Sequence, residues 1–391
     1  MADEGQELTQ SNGKGFALSV WPDALFLHFQ SPLSVPAAFY IYWFRHVCSV
    51  VCVASGTESV PEKVYETNQS NQYAAGSMFA GIGGICLGFK NAGAKMVWAN
   101  EIDSDACSTY RKNMGSEYLV QGDIKTIKAE DIPTIDILTA GFPCQAFSIA
   151  GYRKGFEDER GVLFFEIMRV IESKRPRAVF IENVKNLVKH DNGQTFANIK
   201  QCLKDSGYKV DSRVFNTKDY GNIPQNRERV YIVAFRDEED LKNFSFPEPV
   251  ALTEKISSVI NKKSRKDDAY YYKEGSLYYS RLNEGMTNLN TVYQWRRVYI
   301  RENKNNLCPT LTANMGTGGH NVPLIRDDFG IRKLTPEECL KFQGFPSEFV
   351  FPNISKSSKY KQAGNSVSVP VVQKIAQNII TAMEHTDKGT R

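Results

Sequence analysis

The stretch "MFAGIGGICLGFKNAGAKMVWANE" runs from Met78 to Glu101, and its reading decides the fold. Glycines 81, 83, 84 and 88 make a tight turn into an apolar helical pattern. A short apolar run, "KMVWAN" (95–100), follows and closes on Glu101. A glycine turn, a helix and a strand ending in an acid form one unit of a doubly wound parallel sheet. The turn is not a full G-x-G-x-x-G, because Cys86 holds the third position. That argues against a pyrophosphate ligand and for an adenosine compound without one. Glu101 can then take ribose hydroxyls. Asp123 in "VQGDI", at the tip of the next strand, can meet an adenine amino group.

Outward from this unit, the rhythm of strand and helix continues. Strands are expected at "IDILTAG" (135–141), "RAVFIENV" (177–184), "YKVDSRVFN" (208–216) and "RVYIVAF" (229–235). Between them, "GVLFFEIMRVIESKRP" puts Leu163, Ile167, Val170 and Ile171 on one helical face. "GQTFANIKQCLKDSGY" does the same with Phe196, Ile199 and Leu203. The expected architecture is an α/β, mostly parallel sheet with helices on both faces and a smaller second domain. One element is expected to be lacking: "NQYAAGS", just before the glycine turn, has no apolar run for a first strand.

The rhythm stops near residue 250. Residues 251–328 are rich in Tyr, Asn, Lys and Gly and hold 12 Lys/Arg against 8 Asp/Glu, which is the whole net charge of +4. They read as a separate, irregular domain. Regular structure returns in residues 329–391, with Thr335 capping a helix at "LTPEECLKFQGFP". A last helix with Val372, Ile375, Ile379 and Met383 on one face packs back on the domain at 77–250. Residues 1–76 read as an extension without an assigned role, genuine or joined from an upstream frame. Its apolar run is broken by Arg45 and His46 into halves shorter than the ~20 residues of a membrane span. The eight cysteines contain no CxxC pair and the five histidines no HExxH, so no metal site is expected; a reduced, cytoplasmic protein is.

The chemistry concentrates where strands end. Cys144 follows "IDILTAG", Glu182 ends "RAVFIEN", and Arg227 and Arg229 flank the start of "RVYIVAF". Ligands of open α/β sheets collect at that edge. Singly, these residues read as a buried cysteine, a helix-end carboxylate and surface ion pairs. Together they suit one reaction. A thiolate adds to C6 of a pyrimidine, a carboxyl group at N3 and an arginine on O2 drain charge from the ring, and C5 becomes able to accept a methyl group.

From about Met78 onward the chain resembles the bacterial DNA (cytosine-5)-methyltransferases of type II restriction-modification systems. The likeness rests on six motifs in order: "FAGIGG", "GFPCQAFS", "ENVKNL", "QNRERVYIV", "LTPEECLKFQGFP" and "GNSVSVPV". It implies Cys144 as nucleophile, Glu182 on N3, Arg229 on O2 and Arg227 in support. It implies an S-adenosyl-L-methionine pocket lined by Phe79, Gly81, Gly83, Glu101, Asp123, Pro143 and Asn365. It also implies that Gln145, Arg153, Lys154, Arg296, Arg297 and Arg301 contact double-stranded DNA, the last three from a basic stretch that also holds Tyr293, Trp295 and Tyr299. The expected protein is a monomer with a cognate restriction endonuclease as functional partner. A tRNA cytosine-5 methyltransferase shares these motifs, but the long basic segment argues against it. A nicotinamide-dependent oxidoreductase gives Cys144 and Glu182 no task, and a silent DNA-binding protein leaves the whole thiol site unexplained.

Overall fold

The computed structural model describes residues 72–142, 162–296, 299–317 and 321–389, and before them the backbone of four strands. The chain divides into two compact units, Met1–Asn68 and Gln69–Arg391. In the first, β1 (Leu18–Trp21), β2 (Ala24–His28), β3 (Ala38–Phe44) and β4 (Val47–Val53) form an antiparallel sheet in sequence order.

The second unit is built on seven strands. They are β5 (Ala74–Met78), β6 (Lys95–Glu101), β7 (Leu119–Gln121), β8 (Ile137–Ala140), β9 (Ala178–Val184), β10 (Lys209–Asn216) and β11 (Glu228–Phe235). Their order is β10-β11-β9-β8-β5-β6-β7. All neighbours run parallel except β11, which is antiparallel to both β9 and β10. That reversal has a consequence for the site: the start of β11 lies at the same edge as the carboxyl ends of the other strands.

The first strand, expected to be lacking, is present at the centre of the sheet. All its residues but Met78 are small, because it is covered on both faces. A Cβ added at Gly76 would lie 3.1 Å from Ile135 Cγ2 and 3.5 Å from Trp98 Cε3. A central strand buried by its neighbours' large side chains needs none of its own, so hydropathy misses it.

Helices cover both faces. On one, α1 (Gly84–Asn91), α2 (Ser104–Met114) and the final helix α7 (Val369–Gly389) enclose Ala75, Ile137, Phe180, Tyr231 and Val233. On the other, α3 (Val162–Lys174) and α4 (Gln194–Asp205) cover Met78, Leu138, Ile181 and Ile232. The strand alternation divides its apolar residues between the two. Helix α7 buries Val372, Ile375, Ile379 and Met383 as its periodicity requires. Its far end is tied down by Asp387, which accepts from Tyr73 Oη at 2.5 Å and Arg177 Nη1 at 2.6 Å.

A second, four-stranded antiparallel sheet has the order β13-β12-β14-β15, from β12 (Tyr293–Arg296), β13 (Tyr299–Glu302), β14 (Leu324–Asp327) and β15 (Gly330–Lys333). It leads into α5 (Pro336–Phe342), where Thr335 and Glu338 form a reciprocal capping box with proline in the first turn. Helix α6 (Lys356–Asn365) then docks on α2, with Thr109 Oγ1 donating to Gln362 Oε1 at 2.7 Å.

Candidate active site

At the carboxyl edge of the seven-stranded sheet lies a cavity of about 700 Å³, lined from β6, β9, β11 and α6 and from the turns that follow β5, β7 and β8. The chain leaves β5 through a bend in which Phe79, Gly81 and Gly83 all have positive φ, 55°, 56° and 91°. At Gly81 a Cβ would meet none of the described residues within 4 Å. At Gly83 the need is packing: a Cβ would come within 2.9 Å of Met114 Cγ.

Glu101 ends β6 with its carboxylate held in place. Oε2 accepts from Gly81 N–H, and Oε1 from Ile102 and Asp103 N–H, each at 2.8 Å. A carboxylate has about four acceptor directions, so one remains for a ligand. Asp123 stands beyond the end of β7 and lines the same cavity, its Oδ1 accepting from Lys125 N–H at 3.0 Å. Asn365, exposed at the end of α6, closes the opposite wall. A narrower pocket of about 110 Å³ continues beneath the glycine turn, where buried Ser366 Oγ has no partner among the described residues. A glycine turn, two acidic strand ends and an orphaned hydroxyl suit an adenosyl group carrying an amino-acid tail. The same cavity wall includes Lys361, whose Nζ reaches Asp103 Oδ2 at 2.7 Å across the N-terminus of α2.

The reactive-end residues face this cavity as well. Glu182 is buried at 8% exposure at the end of β9, and Arg229 Nε lies 3.0 Å from its Oε1. That contact lacks hydrogen-bond alignment, leaving Oε1 without a hydrogen-bond partner among the described residues. The carboxyl group therefore sits beside a cation yet stays open to a substrate group.

Arg227 is different. It is 1% exposed, and its guanidinium donates to backbone carbonyls: to Leu311 O at 2.7 Å, to Ser366 O, and weakly to Gly364 O at 3.4 Å. Burial, and then the neighbouring Arg229, push it down to about 9, so it stays charged at neutral pH. Asn183 was not singled out from the sequence. Its Nδ2 donates to Phe142 O at 2.9 Å while Oδ1 accepts from Val184 N–H, pinning the end of β8 to β9. A polar residue inside the apolar "RAVFIEN" was the available signal. Pro143, Cys144, Gln145, Arg153, Lys154 and Arg297 lie outside the described residues.

A second cavity, of about 840 Å³, opens beside the small sheet. Arg296, Tyr299 and Arg301 line it, with Gln294 and Lys304. The cross-strand pairs Gln294–Arg301 and Arg296–Tyr299 put these four on one face. Tyr293 and Trp295, grouped with them in the sequence, point the other way: they are buried at 0% and 5% exposure against Leu282 and Leu324. They are core, and the alternation of strand β12 is the reason. Thr312 lines both cavities. Among the described residues no cluster of three or more His, Cys, Asp or Glu is arranged to hold a metal ion, and no helix is long and apolar enough to cross a membrane.

Comparison with known proteins accounts for this arrangement. Residues 73–381 match the model of the C-5 cytosine-specific DNA methylase family. The Type II methyltransferase M.Bsp6I of Bacillus sp. (strain RFL6) is 56% identical over 310 residues, 78% of this chain and 98% of that one. The Type II methyltransferase M.SsoII of Shigella sonnei is 39% identical over 323 residues, 82% of this chain and 83% of its own. The fold is also that of the DNMT2 of Spodoptera frugiperda, with a TM-score of 0.62 at 18% identity over 79% of this chain and all of the other. The match begins at the start of the seven-stranded sheet and ends within its last helix, and the chain belongs to the C-5 cytosine-specific DNA methylase family.

Proposed function

We propose that the chain methylates carbon 5 of a flipped-out cytosine in a short duplex DNA sequence, using S-adenosyl-L-methionine and a covalent bond from Cys144 to C6. The observation that carries this is the meeting, in one cavity, of the buried Glu182–Arg229 pair with Phe79, Gly81, Glu101 and Asp123. The strand ends would hold the cofactor: Glu101 at the ribose, Asp123 at the adenine amino group, Asn365 and Ser366 toward the amino-acid tail. When bound, S-adenosyl-L-methionine supplies a sulfonium methyl group that an activated C5 accepts.

The chain's own groups do the activating. Glu182, carrying a proton, donates it to N3 as the thiolate adds to C6, and Arg229 takes O2 as negative charge moves there during attack. Cys144 sulfur forms the bond to C6 as the C5–C6 double bond opens. After transfer, loss of the C5 proton restores that double bond and releases the thiolate. Extruding the base costs a few kcal/mol. In this reading, residues 251–328 with Arg296, Arg297 and Arg301, and Gln145, Arg153 and Lys154 beside the thiol, offset that cost through phosphate and base-edge contacts. The same reading makes the protein a cytoplasmic monomer that guards DNA against a cognate restriction endonuclease.

Bisulfite sequencing of DNA from cells expressing the protein tests it, and gives the site. Protected cytosines at one recurring sequence are expected. Labelled methyl transfer to tRNA but not to duplex DNA would overturn it.

A further inference from the structure

The two cavities share a wall, and Arg227 holds that wall together. On the DNA side, residues Leu307 to Thr312 return from the small sheet. This segment is pinned to the large one by Cys308 N–H on Pro224 O at 2.7 Å and Asn226 N–H on Cys308 O at 2.8 Å. Thr310 Oγ1 adds a bond to Asn226 O at 2.7 Å. On the cofactor side is the turn Gly364–Ser366 at the end of α6. Arg227 donates to both, to Leu311 O on one and to Ser366 O and Gly364 O on the other. Gly364 shows how closely the two segments lie: a Cβ built there would run into the carbonyl group of Thr312.

A guanidinium presents its donors in a rigid plane, so moving either segment moves the other or breaks a charge-assisted bond in a buried place. Among the described residues no carboxylate hydrogen-bonds Arg227. Its buried charge is compensated mainly by carbonyl dipoles, which count only while both segments are in position.

We propose that Arg227 is a positioning residue that couples the cavities, so that filling the cofactor cavity orders the Leu307–Thr312 wall and tightens DNA binding, and the reverse. The proposal rests on the assignment of the cavities to cofactor and DNA. The first ligand meets the cost of ordering the joint, and the second does not. Linkage makes the effect reciprocal.

The test measures the affinity of a duplex carrying the mapped site, with and without saturating S-adenosylhomocysteine, in the unmodified protein, Arg227→Lys and Gly364→Ala. Lysine keeps the charge but not the fork; alanine at 364 wedges the joint and leaves Arg227 in place. The unmodified protein should bind DNA about tenfold more tightly with the cofactor product, within the usual range of coupling. Each variant should fall to about twofold or less, and the product should no longer slow hydrogen exchange at Leu311. A loss of thermal stability alone does not change that ratio. If Arg227→Lys does not fold, Gly364→Ala carries the test. Variants that keep the unmodified factor overturn the coupling alone. A protein that binds neither ligand overturns the assignment of the cavities, and the coupling with it.

Discussion

The seven-stranded sheet and the four-stranded sheet present opposite kinds of surface. The large sheet offers its edge, and the groups there are fixed by bonds to neighbouring backbone: Glu101 by three N–H groups, Asn183 by one strand end and its own. The small sheet offers a face, and its groups are long and solvent-exposed: Arg296, Arg301 and Lys304 around an open cavity. Chemistry on one ring needs preorganised partners that do not move. Reading a duplex needs reach and charge. The difference between rigid edge and exposed face is the difference between those two tasks.

Substitutions can break that division, and the largest effect is expected at the thiol. Cys144→Ser should reduce methyl transfer to background and abolish the adduct with a duplex containing fluorinated cytosine, while gel-shift affinity for DNA survives. Full activity in that variant would remove the nucleophile from the account. Glu182→Gln, at the rigid edge, should lose about 10²–10⁴-fold in turnover with DNA affinity nearly unchanged; a loss confined to DNA binding would move Glu182 to the recognition side. The exposed face should behave inversely. Arg296→Ala and Arg301→Ala should each weaken specific binding by about 1–3 kcal/mol if they read bases. If they meet phosphate, the salt dependence of binding should fall by about one unit of slope instead. In both cases single-turnover rates at saturating DNA should hold.

How much of this was legible depended on what each residue faces. The edge residues were readable because strand ends are marked by a break in hydropathy, and Glu101, Asp123 and Glu182 are acids at such breaks. The antiparallel run of β11 carries no mark in its own residues, yet it brings Arg229 to Glu182. Strand β5 was illegible for the opposite reason: its bulk is supplied by Ile135 and Trp98, so its own sequence looks like a linker. In the small sheet, Tyr293 and Trp295 read as part of the basic stretch; the pairing of β12 with β13 shows that they occupy its buried face. Arg227 was expected to support the site; only the fold reveals that its acceptors are carbonyls from distant segments.

Gly76→Val sharpens the point about β5. It should destabilise the protein by about 1–3 kcal/mol through overpacking, read as a lower melting temperature, whereas the same change in a true linker would do nothing. The smallest effect is expected at the Lys361–Asp103 clasp, where both groups are partly exposed and the pair contributes about 0–1 kcal/mol. Burial alone would raise Asp103, but Lys361 and the backbone N–H groups of α2 hold it below the usual carboxylate range, and Lys361 is raised by Asp103. A lowered acid stabilises above its unfolded value of ~3.9, and a raised base below its ~10.4. The clasp should therefore act throughout the neutral range. Asp103→Asn keeps the helix cap but not the charge. Its deficit in melting temperature should shrink as pH drops below about 4 and again above about 10.

Helix α7 lies beside α1, and its Asp387 grips Tyr73 at the very start of the sheet, while Asn365 and Ser366 complete the cofactor cavity. A growing polypeptide thus makes its central strands early, but that cavity is whole only once the distant segment carrying Asn365 and Ser366 has joined them. A chain cut before Asn365 should keep the central strands yet lose the wall that completes the cavity, and with it methyl transfer.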